Sequence, residues 1–267
     1  MTGPADGATL LDVNAGVATI TLNRPENRNA LSVELVESLA SHLAAALADP
    51  AVRVLVLTNV GNTFCAGADL KAAVAPGGAQ QPNPGRTAVD IFGMIIDAPK
   101  PVIGRLAGHC LAGGVGLAAA CDISIASDQV FFGFTEVRIG VAPAVISVVC
   151  LPKMRRSDAL ELFLTGERIS AGRAAEVGLI TRAVPDEELD SAVDEVVGKV
   201  ARGGPTALAV SKQLIAKVPG LGRDEAFAWT QPLSLSLFAS DEGQEGITAF
   251  RERRDASWVP KAWDLGG

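Results

Sequence analysis

Residues 53–58, Arg-Val-Leu-Val-Leu-Thr, constrain this chain more than any other stretch. The run is an almost unbroken series of β-branched and leucine side chains, without the alternation of a strand that has one wet face. A strand of this kind is buried on both faces, so its sheet needs a covering layer on each side. Just upstream, residues 32–48 place Val33, Val36, Leu39, Leu43 and Leu47 at helical spacing, with Asp49-Pro50 as the stop. A helix feeding a buried strand predicts an α/β layout.

The rest of the chain extends this pattern. Val17–Leu22 alternates in a strand period, and residues 23–27 read as a turn. Residues 101–107, 122–126 and 130–134 read as further strands, and Gly113–Ala120 as a helix of small residues. Residues 75–86, with three prolines and three glycines, predict a stretch without regular structure, either a loop over a pocket or a disordered segment. Beyond Ser157 the pattern is mainly helical: 158–164, 171–177, 187–201, 205–216 and roughly 223–253. No internal sequence repeat is visible. The change in character near residue 200 divides the chain into a mixed core, 1–200, and a helical extension, 201–267. Helices that leave a finished core usually pack on something else, often another subunit.

Composition narrows the function. With 267 residues, 48% of them apolar, the chain can bury a large core. A net charge of −7 without long Lys/Arg runs argues against a nucleic-acid surface, so an anionic ligand must be met by local donors. Cys65, Cys110, Cys121 and Cys150 form no paired motif and no cluster with His42 or His109, so neither a metal site nor a disulfide framework is expected. Residues 1–9 lack the pattern of a signal peptide. The most apolar window, 106–120, is too short for a membrane span and carries four glycines. A soluble cytoplasmic protein is the expectation.

Two segments of tiny residues, each directly after a predicted strand, are the candidate site. The first is Asn62-Thr63-Phe64-Cys65-Ala66-Gly67-Ala68-Asp69-Leu70-Lys71; the second is Ala107-Gly108-His109-Cys110-Leu111-Ala112-Gly113-Gly114-Val115-Gly116-Leu117. Small residues let backbone approach a ligand, and a helix starting where each turn ends offers free N–H groups to an anion or oxyanion. The same glycines could serve only tight helix–sheet packing. Residues 114–119 formally fit a dinucleotide fingerprint, with Glu136 about twenty residues on, but the match lies inside the helix rather than at the strand's exit. A phosphate-loop lysine and a nucleophilic-serine elbow are both missing.

In order along the chain, these motifs resemble the crotonase (enoyl-CoA hydratase/isomerase) superfamily. The matching pieces are Leu22-Asn23-Arg24-Pro25 with Asn29-Ala30-Leu31, and Phe64-Cys65-Ala66-Gly67-Ala68-Asp69-Leu70. Ala112-Gly113-Gly114 with Cys121-Asp122-Ile123 and Phe134-Thr135-Glu136-Val137-Arg138-Ile139-Gly140 follow. The last are Leu164-Thr165-Gly166, residues 174–179, and Glu245-Gly246 with Ala249-Phe250. The resemblance implies a ββα spiral core, C-terminal helices that build a trimer or dimer of trimers, and an acyl-CoA thioester substrate. No separate cofactor or metal is implied, since coenzyme A is part of the substrate. It implies an oxyanion hole from the N–H groups of Ala68 and Gly113. It also implies coenzyme A contacts near Glu26, Asn27 and Arg28, beside Ala66, Asp69 and Leu70, with Phe250 and Arg253 lent by a neighbouring subunit.

One departure bears on the reaction. Hydratases of the superfamily use two glutamates, and the positions here are Glu136 and Gly116, which has no side chain. The glycine-rich loop usual after Glu136 is replaced by residues 142–147, Ala-Pro-Ala-Val-Ile-Ser. A lone carboxylate suits double-bond migration, acting first as base and then as acid, better than water addition. The expectation is therefore an isomerase-like enzyme with Glu136 as its one catalytic carboxylate. An enoyl-CoA hydratase, of straight-chain, branched or unusual acyl-CoA, and a non-catalytic acyl-CoA-binding scaffold are the alternatives. The ordinary alternative for Glu136 itself is an ion pair with Arg138.

Overall fold

The computed structural model describes residues 7–69 and 85–260. The strands are β1 (Thr9–Asn14), β2 (Val17–Leu22), β3 (Val54–Asn59), β4 (Thr63–Cys65) and β5 (Val102–Leu106), then β6 (His109–Leu111), β7 (Ile123–Ser127), β8 (Phe131–Gly133), β9 (Arg168–Ser170) and β10 (Arg182–Val184). The helices of the first half are α1 (Val33–Ala48), α2 (Ala88–Ile96), α3 (Gly113–Ala120) and α4 (Ala144–Cys150). They are followed by α5 (Arg156–Thr165), α6 (Ala171–Glu176), α7 (Leu189–Ala201), α8 (Pro205–Lys217), α9 (Arg223–Ala239) and α10 (Asp241–Glu252).

The strands form two sheets. The larger runs in the order β1-β2-β3-β5-β7-β10 and is parallel except for the β1–β2 pair. The smaller runs β4-β6-β8-β9 and is parallel except for the last pair. From β3 to β8 the chain repeats one move, a strand in the large sheet followed by a strand in the small one. A helix closes each turn of this ββα spiral, and α3 does so directly after β6. No sequence repeat announces it, because burial recurs while the residues do not.

All six residues of β3 are buried. Leu55 and Leu57 face a core shared with Leu35, Leu39 and Leu43 of α1 and Ile91 and Ile95 of α2. Val54 and Val56 join Ile103 and Ile125 on the opposite face, under Leu189, Val193 and Val197 of α7. The unbroken apolar run thus reflects two covering layers, as expected. Helix α1 begins at Ser32, whose hydroxyl accepts the Leu35 N–H at 3.3 Å. Its inward face includes Leu35 and Ala40, whereas Val33, expected inside, is 56% exposed.

Several elements depart from the sequence expectations. The stretch 223–253 is two helices, broken at Ser240, which turns extended (ψ 156°) and caps α10 by accepting the Gly243 N–H at 3.0 Å. Strand β1, helices α2 and α4, and β4, β6 and β9 of the small sheet go beyond the sequence expectations. Helix α2 starts at a capping box in which the Thr87 N–H and hydroxyl both donate to Asp90 at 2.7 Å. Of the loop expected at 75–86, residues 75–84 lie outside the described residues. Among the described residues no helix is long and apolar enough to cross a membrane.

Beyond residue 201 the packing changes. Neither α8 nor α9 contributes a buried residue. Arg53 of the core instead donates to the carbonyls of Gly203 at 2.8 Å and Trp258 at 3.4 Å.

Candidate active site

The two small-residue turns meet. A Cβ added to Gly67 would stand 2.7 Å from the Gly113 nitrogen, and one added to Gly113 would stand 3.7 Å from the Ala68 nitrogen. Gly67 takes φ +87°, a conformation that glycine adopts without strain. Ala112 holds φ +48° and ψ −122° immediately before α3, an uncommon backbone for a residue with a Cβ. Strain of this sort persists only where the surroundings enforce it, and it gathers at functional sites. Here the Ala112 N–H is fixed by the Gly133 carbonyl at 2.9 Å, and the Gly67 carbonyl accepts the Leu31 N–H at 2.8 Å. A side chain at Gly114 would overlap the Cys65 carbonyl oxygen, so glycine is what lets α3 lie against β4. Among the described residues, the N–H groups of Ala68 and Gly113 have no acceptor. Two adjacent free donors, one of them at a helix N-terminus, can receive a developing negative charge.

Glu136 stands three residues beyond Gly133, the end of β8 that the Ala112 N–H grips. Its Oε2 is buried without a hydrogen-bond partner. Burial holds its carboxyl above the ordinary carboxylate range, with only a backbone contact opposing. The pairing with Arg138 is not made: the Arg138 Nε donates to the Gly166 carbonyl at 3.0 Å. The Glu136 charge is felt at the Cys150 thiol, which burial pushes up to about 12 while Lys153 opposes the rise. A carboxyl held above its ordinary range, with one oxygen left unpartnered, is suited to proton transfer.

Position 116 is closed. A Cβ there would overlap Cγ2 of Ile146 and come within 3.0 Å of Phe92 Cζ. Ile146, on α4, and Phe92, on α2, are both buried. The sequence shows the missing side chain but not what fills its place. The signal available was the apolar replacement of the glycine-rich loop at 142–147, which carries Ile146.

The turn holding Glu26, Asn27 and Arg28 does lie beside the segment at Ala66 and Asp69. The Ala66 N–H donates to the Arg28 carbonyl at 3.0 Å, and Asn27 Nδ2 donates to Asp69 at 3.3 Å. Asn29 organises this junction from a buried position. Its side-chain oxygen accepts the Arg24 N–H at 2.7 Å, and its Nδ2 donates to the carbonyls of Val60 and Thr63. Arg28 is exposed and makes no ion pair among the described residues. Leu70 lies outside the described residues. Phe250 is 84% exposed on α10, and Arg253 caps that helix in a left-handed conformation.

The remaining polar candidates have structural engagements. His109 stacks on Phe131 with ring centroids 3.5 Å apart, Arg168 covers the same ring, and Nδ1 accepts the Phe131 N–H. Burial lowers the His109 pKa, and Arg168 adds to the effect. Asp122 pairs with Lys212 at 2.8 Å. All four cysteines are free and buried, and burial raises each thiol, which makes them poor nucleophiles.

Comparison with known proteins places this geometry. Residues 12–261 match the family model described as enoyl-CoA hydratase/isomerase. An enoyl-CoA hydratase of Mycobacterium tuberculosis is 33% identical over 239 residues, 88% of this chain and 90% of that protein. The crotonyl-CoA hydratase of Syntrophomonas wolfei is 30% identical over 254 residues, 94% of this chain and 98% of its own length. The crystal structure of human enoyl Coenzyme A hydratase domain-containing protein 3 has a TM-score of 0.86 at 29% identity, covering 94% of this chain and 99% of that one. The chain with the paired turns at Gly67 and Gly113 is therefore an enzyme of the enoyl-CoA hydratase/isomerase family, in the crotonase superfamily.

Proposed function

We propose that this enzyme binds acyl-CoA thioesters and moves a double bond between C3 and C2, using Glu136 as its one catalytic carboxylate. Ionised Glu136 takes a proton from C2 of a 3-enoyl-CoA. The electron pair left behind spreads over a dienolate whose negative charge rests on the thioester oxygen, within reach of the Ala68 and Gly113 N–H groups. The protonated Glu136 then delivers the proton to C4, and the new double bond lies between C2 and C3. Each backbone donor of this kind is worth about 10²–10³ in rate. Coenzyme A is carried in as part of the substrate, and no further cofactor enters the scheme.

The closure of position 116 by Ile146 and Phe92 carries this reading. Water addition needs a group to hold and deprotonate the water on that side, and two hydrocarbon side chains do neither. Support for coenzyme A contacts at Glu26, Asn27, Arg28, Ala66 and Asp69 comes from their adjacency to the candidate oxyanion donors. Phe227, Leu235, Phe238 and Phe250 are exposed on α9 and α10, which favours a homotrimer or dimer of trimers in which Phe250 and Arg253 serve a neighbouring site.

The test is to supply straight-chain 2-enoyl-CoA and 3-enoyl-CoA and follow migration and hydration separately. Faster migration is expected. Efficient hydration of straight-chain 2-enoyl-CoA would instead select the second reading, an enoyl-CoA hydratase, which the names of the relatives favour.

A further inference from the structure

Helix α8 buries no residue of its own class as a core element, yet one side chain anchors it deeply. The Lys212 side chain is 14% exposed, and its ammonium lies 2.8 Å from Oδ2 of Asp122, itself 23% exposed. The same ammonium donates to the carbonyls of Ile95 at 3.2 Å and Lys100 at 3.4 Å. Three acceptors match the three donors of an ammonium group.

Those acceptors occupy telling places. Asp122 follows α3 by two residues, and it also accepts the Val102 N–H at 2.7 Å, which ties it to β5. Ile95 lies in the last turn of α2. One cation therefore serves the C-terminal ends of both helices, where the helix dipole favours positive charge. At the other end of α3 stands Gly113. Phe92 of α2 rests against Gly116 within α3. With eight residues, α3 is about 12 Å long and moves as a unit, so a shift at one end is passed to the other. Lys153 also reaches this end, donating to the Cys121 carbonyl at 3.2 Å, but it touches neither Asp122 nor the Ile95 carbonyl among the described contacts.

We infer that Lys212 is a positioning residue for the active site: by joining Asp122 and the Ile95 carbonyl, it sets α3 and α2 so that the Gly113 N–H and the Phe92 wall keep their places. The helical extension thereby acts on the chemistry without touching the reacting atoms. The catalytic part of this inference rests on the enolate reading above.

The experiment uses the full chain, as wild type and as Lys212→Met, Lys212→Arg and Asp122→Asn. Hydrogen exchange over residues 107–120 is measured beside kcat and KM for enoyl-CoA turnover. Lys212→Met is expected to speed that exchange and to lower kcat by about tenfold to a hundredfold, with KM changed far less. Lys212→Arg should recover most of both. If Lys212→Met does not fold, Asp122→Asn breaks the same link while keeping an acceptor for Val102, and the same two changes are expected. A variant that loses only thermal stability, with exchange and kcat at wild-type values, overturns the inference, as does failure of Lys212→Arg to recover what Lys212→Met loses. If the wild type turns over no enoyl-CoA, the functional reading fails on its own, and the exchange data still decide whether Lys212 positions α3.

Discussion

Glu136 and Gly116, the two positions that the resemblance pairs with carboxylates, have opposite surroundings. At Glu136 a carboxyl oxygen is buried without a partner, and burial raises the pKa of the group. At Gly116 there is no side chain, and Ile146 and Phe92 occupy the space that one would need. The first position keeps a polar group at a cost to the fold, because an unsatisfied buried polar atom destabilises. The second gives up its polar group for close packing, which stabilises. This contrast between a cost retained and a cost removed is what the proposed single-carboxylate mechanism rests on.

Removing the carboxylate is the strongest way to break this asymmetry. Glu136→Gln keeps shape and burial, so turnover should fall by about 10²–10⁴ while acyl-CoA affinity holds. Steady-state kinetics and calorimetric titration with an acyl-CoA check it. Undiminished turnover would remove Glu136 from the mechanism.

Filling the closed position comes next. Gly116→Glu should lower stability by at least about 1–3 kcal/mol through overpacking against Ile146. Ile146→Ala alone should cost about 2–5 kcal/mol by leaving a cavity. Because the two changes share one space, the double variant should lose less than the sum, as read from urea midpoints in a double-mutant cycle. If the closure also decides the reaction, the double variant gains water addition to 2-enoyl-CoA. Strictly additive losses would show that the two residues do not compete for that space.

The smallest effect is on pH dependence. The folded state of the wild type holds the Glu136 proton at a pH where the unfolded chain has released it, so this group lowers stability as pH rises through that window. Glu136→Gln should therefore raise Tm near neutral pH, and the gain should vanish below about pH 3.5, where both states of the wild type are protonated. In the wild-type rate profile, the acid limb should lie above the ordinary carboxylate range. A Tm difference that does not vary with pH would mean that Glu136 is not held above its unfolded value.

Much of this asymmetry was legible residue by residue. The motif around Glu136, the absence of a side chain at 116 and the small residues of both turns are all local. The buried strand β3 and helix α3 appeared in the sequence within a residue or two of their observed positions, since apolar runs and small-residue turns are also local. The break at Ser240 was not legible, because Asp241–Glu252 continues the helical composition of the segment before it and only the cap reveals the turn. Nor was the role of Ile146. Its contact with Gly116 joins residues thirty positions apart, and no period in either segment encodes that meeting. The half-buried Lys212 looks like any surface lysine until its three acceptors are assembled around it.

The α/β layering, the glycines that permit close backbone approach and the lack of a side chain at position 116 can all be read from runs of neighbouring residues. Folding alone brings the Ala68 and Gly113 N–H groups together, closes the space at 116 with hydrocarbon, and sets Lys212 of α8 against Asp122 beyond the far end of α3. Those are relations between distant segments, and packing fixes them through distances that no local pattern carries.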